Sequence, residues 1–375
     1  MLNYIILVFG IVSLLSLISC LLATKYFPKY AHLRKSIIIF NLLLFCLGLP
    51  LHIAYVPPQI AWFLDLFINL SVVLQVVMAI FALLAMAIDF SLRKLIKQEI
   101  NNSRRNFLRA CIWLPSLSLT AYGSLYEARH IEYTHLSLPT NSSKMNGIKA
   151  VQLSDVHLGK YFSLDKLSDT LEQILAQKPD ILLMTGDIFD DDEINDEAID
   201  LISNFAPHFP LGVYYCWGNH EYFRGVPHLQ ALLNKSNIKL LNNEAIKIID
   251  DTVPLYILGV DYVSGGDEFK AKREECMEKA LQNVPQNAYK ILLAHHPIFL
   301  DNAFAHQIDL TLAGHTHGGQ FAILDNPLFH VFKYMMGKFT KGKSTGYVSR
   351  GAGSWFPCRI GCPPEITWIS FKYNV

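Results

Sequence analysis

Two histidines stand one residue apart in LAGHTHGGQ, residues 312–320, with glycine before and after the pair. Imidazole is an acid, a base and a metal ligand near neutral pH. Four other places repeat the theme of an apolar run that ends in such groups. VQLSDVH ends on Asp155 and His157, and ILLMTGD on Asp187. YYCWGNH ends on Asn219 and His220, and ILLAHH on His295 and His296. Any one of these tips is an ordinary turn, because Asp and Asn favour turns. Five tips with these residue types read as one site.

Imidazole and carboxylate without thiolate suit divalent Mn, Fe, Co, Ni or Zn. The number of groups is enough for two ions. In extended chain, residues two apart point the same way. Asp155 and His157 then face one site, and His315 and His317 supply one ligand to each of two neighbouring ions. Paired ions lie about 3.5–4 Å apart, a spacing that a shared carboxylate holds, and Asp187 is the candidate. Gly314, Gly318 and Gly319 allow tight backbone paths beside the ions.

The elements that position these groups follow from periodicity. Short apolar runs before each tip predict strands, and further strands are expected at 255–260, 320–324, 346–349 and 366–371. Leu164, Leu167, Leu171, Ile174 and Leu175 have helical spacing and Pro179 stops them. Helices are also expected near 196–205, 226–234 and 269–282. Strand, helix, strand is a β-α-β unit with a right-handed crossover. In open α/β sheets ligands bind beyond the carboxyl ends of strands, which is where all five tips fall.

The ordered blocks SDVHLG, GD, GNHE, HHP and GHTHGGQ resemble the calcineurin-like metallophosphoesterase family. The late segment VSRGAGSWFPCRIGCPPE is similar to its bacterial membrane-attached branch. The resemblance covers about residues 147–375 and implies a four-layer α/β/β/α sandwich. It implies that Asp155, His157, Asp187 and His317 hold one metal, and that Asp187, Asn219, His295 and His315 hold the other. His220 would contact the phosphate or protonate the leaving group. Hydroxide shared between two Lewis acids would then attack phosphorus, with Asn219 and His220 offsetting charge on the phosphoryl oxygens. The acidic run GDIFDDDE after Asp187 reads as a solvated loop.

The first third of the chain is different. The whole chain has 375 residues, 51% hydrophobic and 17% charged, with net charge +0; about 25% charged is usual. No basic excess points to nucleic acid. A membrane span needs roughly 20 apolar residues, and runs at 2–22, 36–56 and 60–88 meet that length. A fourth run, 107–126, is diluted by Pro115 and serines. The expectation is a multi-pass region over 1–126, a linker over 127–146 and a catalytic domain over 147–375. Basic residues at 25–35 and 93–105 belong in the cytoplasm by the positive-inside rule. The catalytic domain is then outside, provided the fourth run crosses. SRRNFLR, residues 103–109, is also similar to a twin-arginine export signal. Cys358 and Cys362 are a disulfide or a pair of reduced thiols.

The expected substrate is a phosphoester, a phosphodiester for preference. Lipid-linked phosphate fits a tethered enzyme whose segment 326–346 is aromatic and lysine-bearing. The lipid bilayer is the expected neighbour. The competing class of function is a membrane sensor or scaffold that binds phosphate ligands with little turnover.

Overall fold

The computed structural model describes residues 33–48, 58–96, 102–354 and 356–373, with isolated positions before residue 20. The chain divides into two units, Met1–Tyr126 with Phe356–Cys358, and Glu127–Trp355 with Arg359–Val375.

The first unit contributes three described helices: α1 (Leu33–Gly48), α2 (Pro58–Ile96) and α3 (Asn102–Leu125). Within α2, Trp62–Leu92 is 31 residues long with mean hydropathy 2.6. Trp62, Phe63, Phe67, Leu83, Leu84 and Ile88 on it are exposed, where a core helix of a globular protein would bury them. Among the described residues it is the one helix long and apolar enough to cross a membrane. This is fewer than the four crossings expected. The run 2–22 lies almost wholly outside the described residues. The second run, 36–56, enters α1 over 36–48, and its remainder lies outside the described residues. The fourth run begins earlier than expected, at Asn102, so α3 takes in Arg104, Arg105 and Arg109 and is too polar to qualify. Pro115 does not break it. Ser116 Oγ donates to Ile112 O at 2.6 Å within the turn that the proline enters.

The second unit holds two six-stranded sheets. Sheet one contains β1 (Glu132–Thr140), β2 (Lys149–Leu153), β3 (Ile181–Thr185), β4 (Val213–Cys216) and β5 (Ile238–Leu240). Sheet two contains β6 (Glu244–Ile249), β7 (Leu255–Gly259), β8 (Tyr289–Leu293), β9 (Leu310–Ala313), β12 (Gly337–Lys341) and β13 (Ser344–Val348). β14 (Glu365–Tyr373) completes sheet one, in the order β1-β14-β2-β3-β4-β5; sheet two runs β12-β13-β9-β8-β7-β6. β2 to β5 are mutually parallel, as are β7, β8, β9 and β13. Between them β10 (Ala322–Ile323) and β11 (Asn326–Pro327) form a small hairpin, shorter than the strand expected over 320–324.

Alternation along the strands builds the layers. Ala150, Ile181, Leu183, Ile257, Ile291, Leu293 and Leu312 meet between the sheets. Their neighbours Val151, Leu182, Met184 and Tyr215 face outward, onto Leu167, Leu171 and Ile174 of α4 (Leu164–Leu175) and Ile199 and Ile202 of α5 (Asn195–Phe205). On the far side Leu258 and Leu292 meet Met277 of α8 and Phe299 of α9, where α8 is Lys270–Leu281 and α9 is Phe299–Ala305. α6 (Asn219–Arg224) and α7 (Val226–Leu233) follow β4. The result is helix, sheet, sheet, helix. Gln152 ties the sheets by donating to Thr185 Oγ1 and Ala313 O, both at 3.0 Å.

One sequence expectation is corrected here. The stretch read as a linker contains β1, paired in parallel with β14 from Glu132–Glu365 to Thr140–Tyr373. Cys358 and Cys362 are both reduced and buried.

Candidate metal centre

Each site residue leaves the carboxyl end of a strand. Asp155 and His157 follow β2, Asp187 follows β3, and Asn219 and His220 open α6 just beyond β4. His295 follows β8, and His315 and His317 follow β9. Three of these strands lie in one sheet and two in the other, so the site sits across the sandwich edge. Asp155, His157, Asp187, His315 and His317 all have positive φ, between 48° and 74°. Such a backbone is uncommon for side chains larger than glycine and gathers at functional sites. The glycines beside them are needed for close approach rather than for φ alone. A Cβ on Gly314 would lie 2.1 Å from Asp155 Oδ2, and one on Gly218 2.2 Å from Asp187 Oδ1.

The eight side chains named by the sequence come together. Three groups have ligand atoms within 4.8 Å of one another: Asp155, His157 and His317; His157, Asp187 and His220; and Asp187, His295 and His315. Asn219 joins the last through Oδ1, 3.1 Å from His295 Nε2. Asp187 stands between the groups. Its Oδ1 accepts from His220 N–H at 2.8 Å, while Oδ2 lies 3.1 Å from His295 Nε2 and 3.7 Å from His157 Nε2.

Hydrogen bonds behind the imidazoles set which nitrogen faces the site. His295 Nδ1 donates to Thr185 O at 2.8 Å, so in the neutral ring Nε2 is bare. That atom meets Asn219 Oδ1, Asp187 Oδ2 and His315 Nδ1, each at 3.1 Å. Several lone pairs aimed at one point repel unless a cation lies among them, so the donor set fits a divalent ion. In the metal-free chain a proton takes that role. Burial opposes charge on His295, but Asp187 beside it prevails, and its pKa is pushed up to about 10. Metal loading must therefore expel that proton. We expect proton release near pH 7.5 in calorimetry across buffers of different ionisation enthalpy, and metal affinity that strengthens as pH rises toward 10. Loading with no proton released would contradict the arrangement. The same shift gives the metal-free fold a stabilisation complete below pH ~6.5 and lost as pH climbs through about 10.

Three residues escaped the sequence reading. Asp190, in the acidic run taken as a solvated loop, is nearly buried and accepts from His157 Nδ1 at 2.9 Å and His220 Nδ1 at 2.7 Å. Burial works against its charge, but the two histidines hold its carboxyl well below the usual range. The signal was its place three residues after Asp187 in GDIFD. Glu221 is fully buried and accepts from the backbone of Ile188 (2.7 Å), Gly218 (2.9 Å), Asp187 and Phe189 (both 3.1 Å). It fixes the turn that carries Asp187. Arg359, also fully buried, donates to His317 Nδ1 at 2.8 Å and to Arg350 O at 2.7 Å. No sequence spacing announces that contact. In the neutral ring it leaves the His317 proton on Nε2, 3.0 Å from His157 Nε2, so an ion held at Nε2 would require that proton to move to Nδ1 and Arg359 to give way.

A parallel-stranded sandwich carrying Asp, His and Asn at the carboxyl ends of both sheets defines a class of metal-dependent enzyme folds. Residues 148–319 match the calcineurin-like phosphoesterase model. The chain is 32% identical over 230 residues to an uncharacterized metallophosphoesterase of Aquifex aeolicus, covering 60% of this chain and 85% of that protein. It is 28% identical to the phosphodiesterase YaeI of Escherichia coli, covering 71% and 98%. It is 30% identical to a bovine transmembrane protein with metallophosphoesterase domain, covering 72% of this chain but only 64% of that relative. The chain belongs to the calcineurin-like phosphoesterase family.

Proposed function

We propose that this protein is a membrane-anchored phosphodiester hydrolase that uses two divalent ions. The observation that carries this reading is Asp187 Oδ2, set between the His157 and His295 groups. Asp155, His157, Asp187 and His317 would hold one ion, and Asp187, Asn219, His295 and His315 the other. Such ions supply Lewis acidity, lowering the pKa of water and polarising phosphoryl oxygens. The chain's own groups do the rest. Asn219, besides holding an ion, and His220 would orient the phosphate. His220 keeps its Nδ1 proton on Asp190, and its pKa is raised by Asp190 and Asp187 against the opposing effect of burial. It is thus the candidate proton donor to the leaving group. One P–O bond would form to water oxygen, whose proton passes to solvent, and one would break to the leaving alkoxide, which would take the His220 Nε2 proton; His220 would recover a proton from solvent.

Anchoring is supported by the exposed apolar surface of α2 and by the bovine relative's name. The basic residues at the C-terminal end of that helix, Arg93, Lys94 and Lys97, favour that end being cytoplasmic. If α3 also crosses, the catalytic unit lies outside. Reporter fusions after Ile96 and after Glu127 decide the side.

The test uses the purified full chain in detergent with bis(p-nitrophenyl) phosphate. Turnover is expected with Mn, is lost on chelation and returns on adding metal back. A chain that binds Mn and gives no turnover would favour phosphate binding alone.

A further inference from the structure

A cavity of about 400 Å³ adjoins the site and shares His315 with it, a size within the roughly 300–1,000 Å³ of small-molecule pockets. Tyr262, Pro297, Ile298, Val331 and Phe332 supply its apolar wall, beside His296, His315 and Ser264. The Phe332 ring meets His315 and His296 edge-on, with centroids 5.0 and 5.3 Å away. Tyr262 closes the other side, 6.0 Å from His315.

The polar groups of the cavity carry no spare charge. Lys333 Nζ is committed to Asp301, at 2.7 and 2.9 Å. His296 Nδ1 accepts from Ile298 N–H at 3.1 Å, so the neutral ring keeps its one proton on Nε2. Arg273 lies behind the loop 264–266 and pins it by donating to Ser264 O and Gly266 O. The space depends on Gly265, where a Cβ would lie 2.9 Å from His296 Cε1.

Val331 of the cavity is itself exposed and belongs to an apolar stretch of the chain. Ile323, Leu324, Leu328, Phe329 and Val331 are exposed within nine residues, Leu324 at 88% and Val331 at 72%. Leu324 and Asp325 form the β10–β11 turn with φ 50° and 61°, a turn that ordinarily uses Asn-Gly. Leucine there is conformationally costly and is held out in solvent.

We propose that this cavity seats an apolar ester arm of the phosphodiester substrate and that the hairpin extends the same path to the surface. The proposal rests on the hydrolase reading above. A charged arm finds no free ionic partner among the cavity's side chains, because Lys333 is held by Asp301, whereas an alkyl or aryl arm gains by the area it buries. The arm belongs either to a lipid or to a small soluble diester.

The experiment uses the full chain in detergent with Mn and p-nitrophenyl alkyl phosphates from methyl to butyl. kcat/KM is expected to climb up to about fourfold per buried methylene. In G265V, and less so in F332A, the climb flattens; because each variant is read as a ratio of long to short arm, its folded fraction cancels. A flat series in an active wild-type enzyme overturns the cavity assignment and leaves the hydrolase reading intact. If no member is hydrolysed, the hydrolase reading falls first. Calorimetry with the methyl ester of butylphosphonate against that of methylphosphonate then decides the cavity, and equal affinities overturn it. A short-chain phosphatidyl ester in the same micelles separates the sources: faster turnover than the butyl ester assigns lipid, slower assigns the soluble arm.

Discussion

Asp187→Asn is expected to remove bound metal and lower phosphodiesterase activity by about 10³-fold or more. The carboxylate contributes in two ways. Its Oδ1 is fixed by His220 N–H, which an amide oxygen can replace. Its Oδ2 faces His295 and His157, and there an amide offers either a neutral oxygen or an N–H that repels a cation. The charge matters as much as the geometry. Asp187 is held well below the usual carboxylate range; burial opposes this, but His295, His157 and His220 dominate, so it stays anionic. Without it, His295, Asn219 and His315 are neutral donors only, and Asp155 is the remaining buried carboxylate among the proposed ligands. Elemental analysis of the purified variant should show metal content well below wild type. Added Mn should raise the wild-type melting temperature, since a ligand that binds only the folded state stabilises it, and should barely move the variant's. Wild-type turnover with full metal content in Asp187→Asn would remove the basis for the assignment.

The sequence made these ligands legible because each sits where a buried strand ends, and buried parallel strands are near-continuous apolar runs. ILLMT and YKILL announce β3 and β8 by composition alone. β1 was hidden for the opposite reason. Its EYTHLSLPT buries only Leu136, Leu138 and Thr140, and its partner β14 lies more than 200 residues onward. A polar edge strand with a distant partner carries no local signal, and Pro139 is tolerated there because an edge strand has donors to spare. The loop 326–346 illustrates a mixture. Tyr334 and Phe339 pack on the Leu300 cluster, as an ordinary surface loop would, while Val331 and Phe332 turn toward the metal pocket. Sequence named the segment but not which aromatics faced which way. In the membrane half, the fourth run was read by apolar length without the charge that Arg104, Arg105 and Arg109 bring into the same helix, α3; most of the first run and part of the second lie outside the described residues.

Arg359 marks the deeper limit. A histidine's two nitrogens are set by whatever touches the far one, and for His317 that is a guanidinium from a segment 42 residues away. For His157 and His220 it is a single carboxylate, Asp190, reached from both. Ligand identity was readable from residue type and spacing. Ligand protonation was not, because it depends on contacts made only after the two sheets close.

That shared carboxylate separates two variants that otherwise resemble each other. His220→Ala is expected to keep its metal, because the backbone N–H of residue 220 still holds Asp187 Oδ1 and the lost ring is not among the proposed ligands. What goes is the proposed proton donor, a role worth roughly 10²–10⁴-fold in kcat. In the wild type, kcat should fall on the alkaline side as His220 loses its proton, at a pH above the imidazole's ordinary ~6.5 because Asp190 and Asp187 favour the charged ring. In His220→Ala that alkaline fall should vanish from the remaining activity. Asp190→Asn should behave otherwise. His220 keeps its ring but loses the carboxylate that orients it, and His157 loses the same partner, so metal affinity should weaken about 10–100-fold and excess Mn should restore part of the rate. Metal titrations and pH profiles of the two variants, run side by side, check the division of labour. If His220→Ala lost its metal, or kept the alkaline limb, His220 would be a ligand or a bystander rather than the acid.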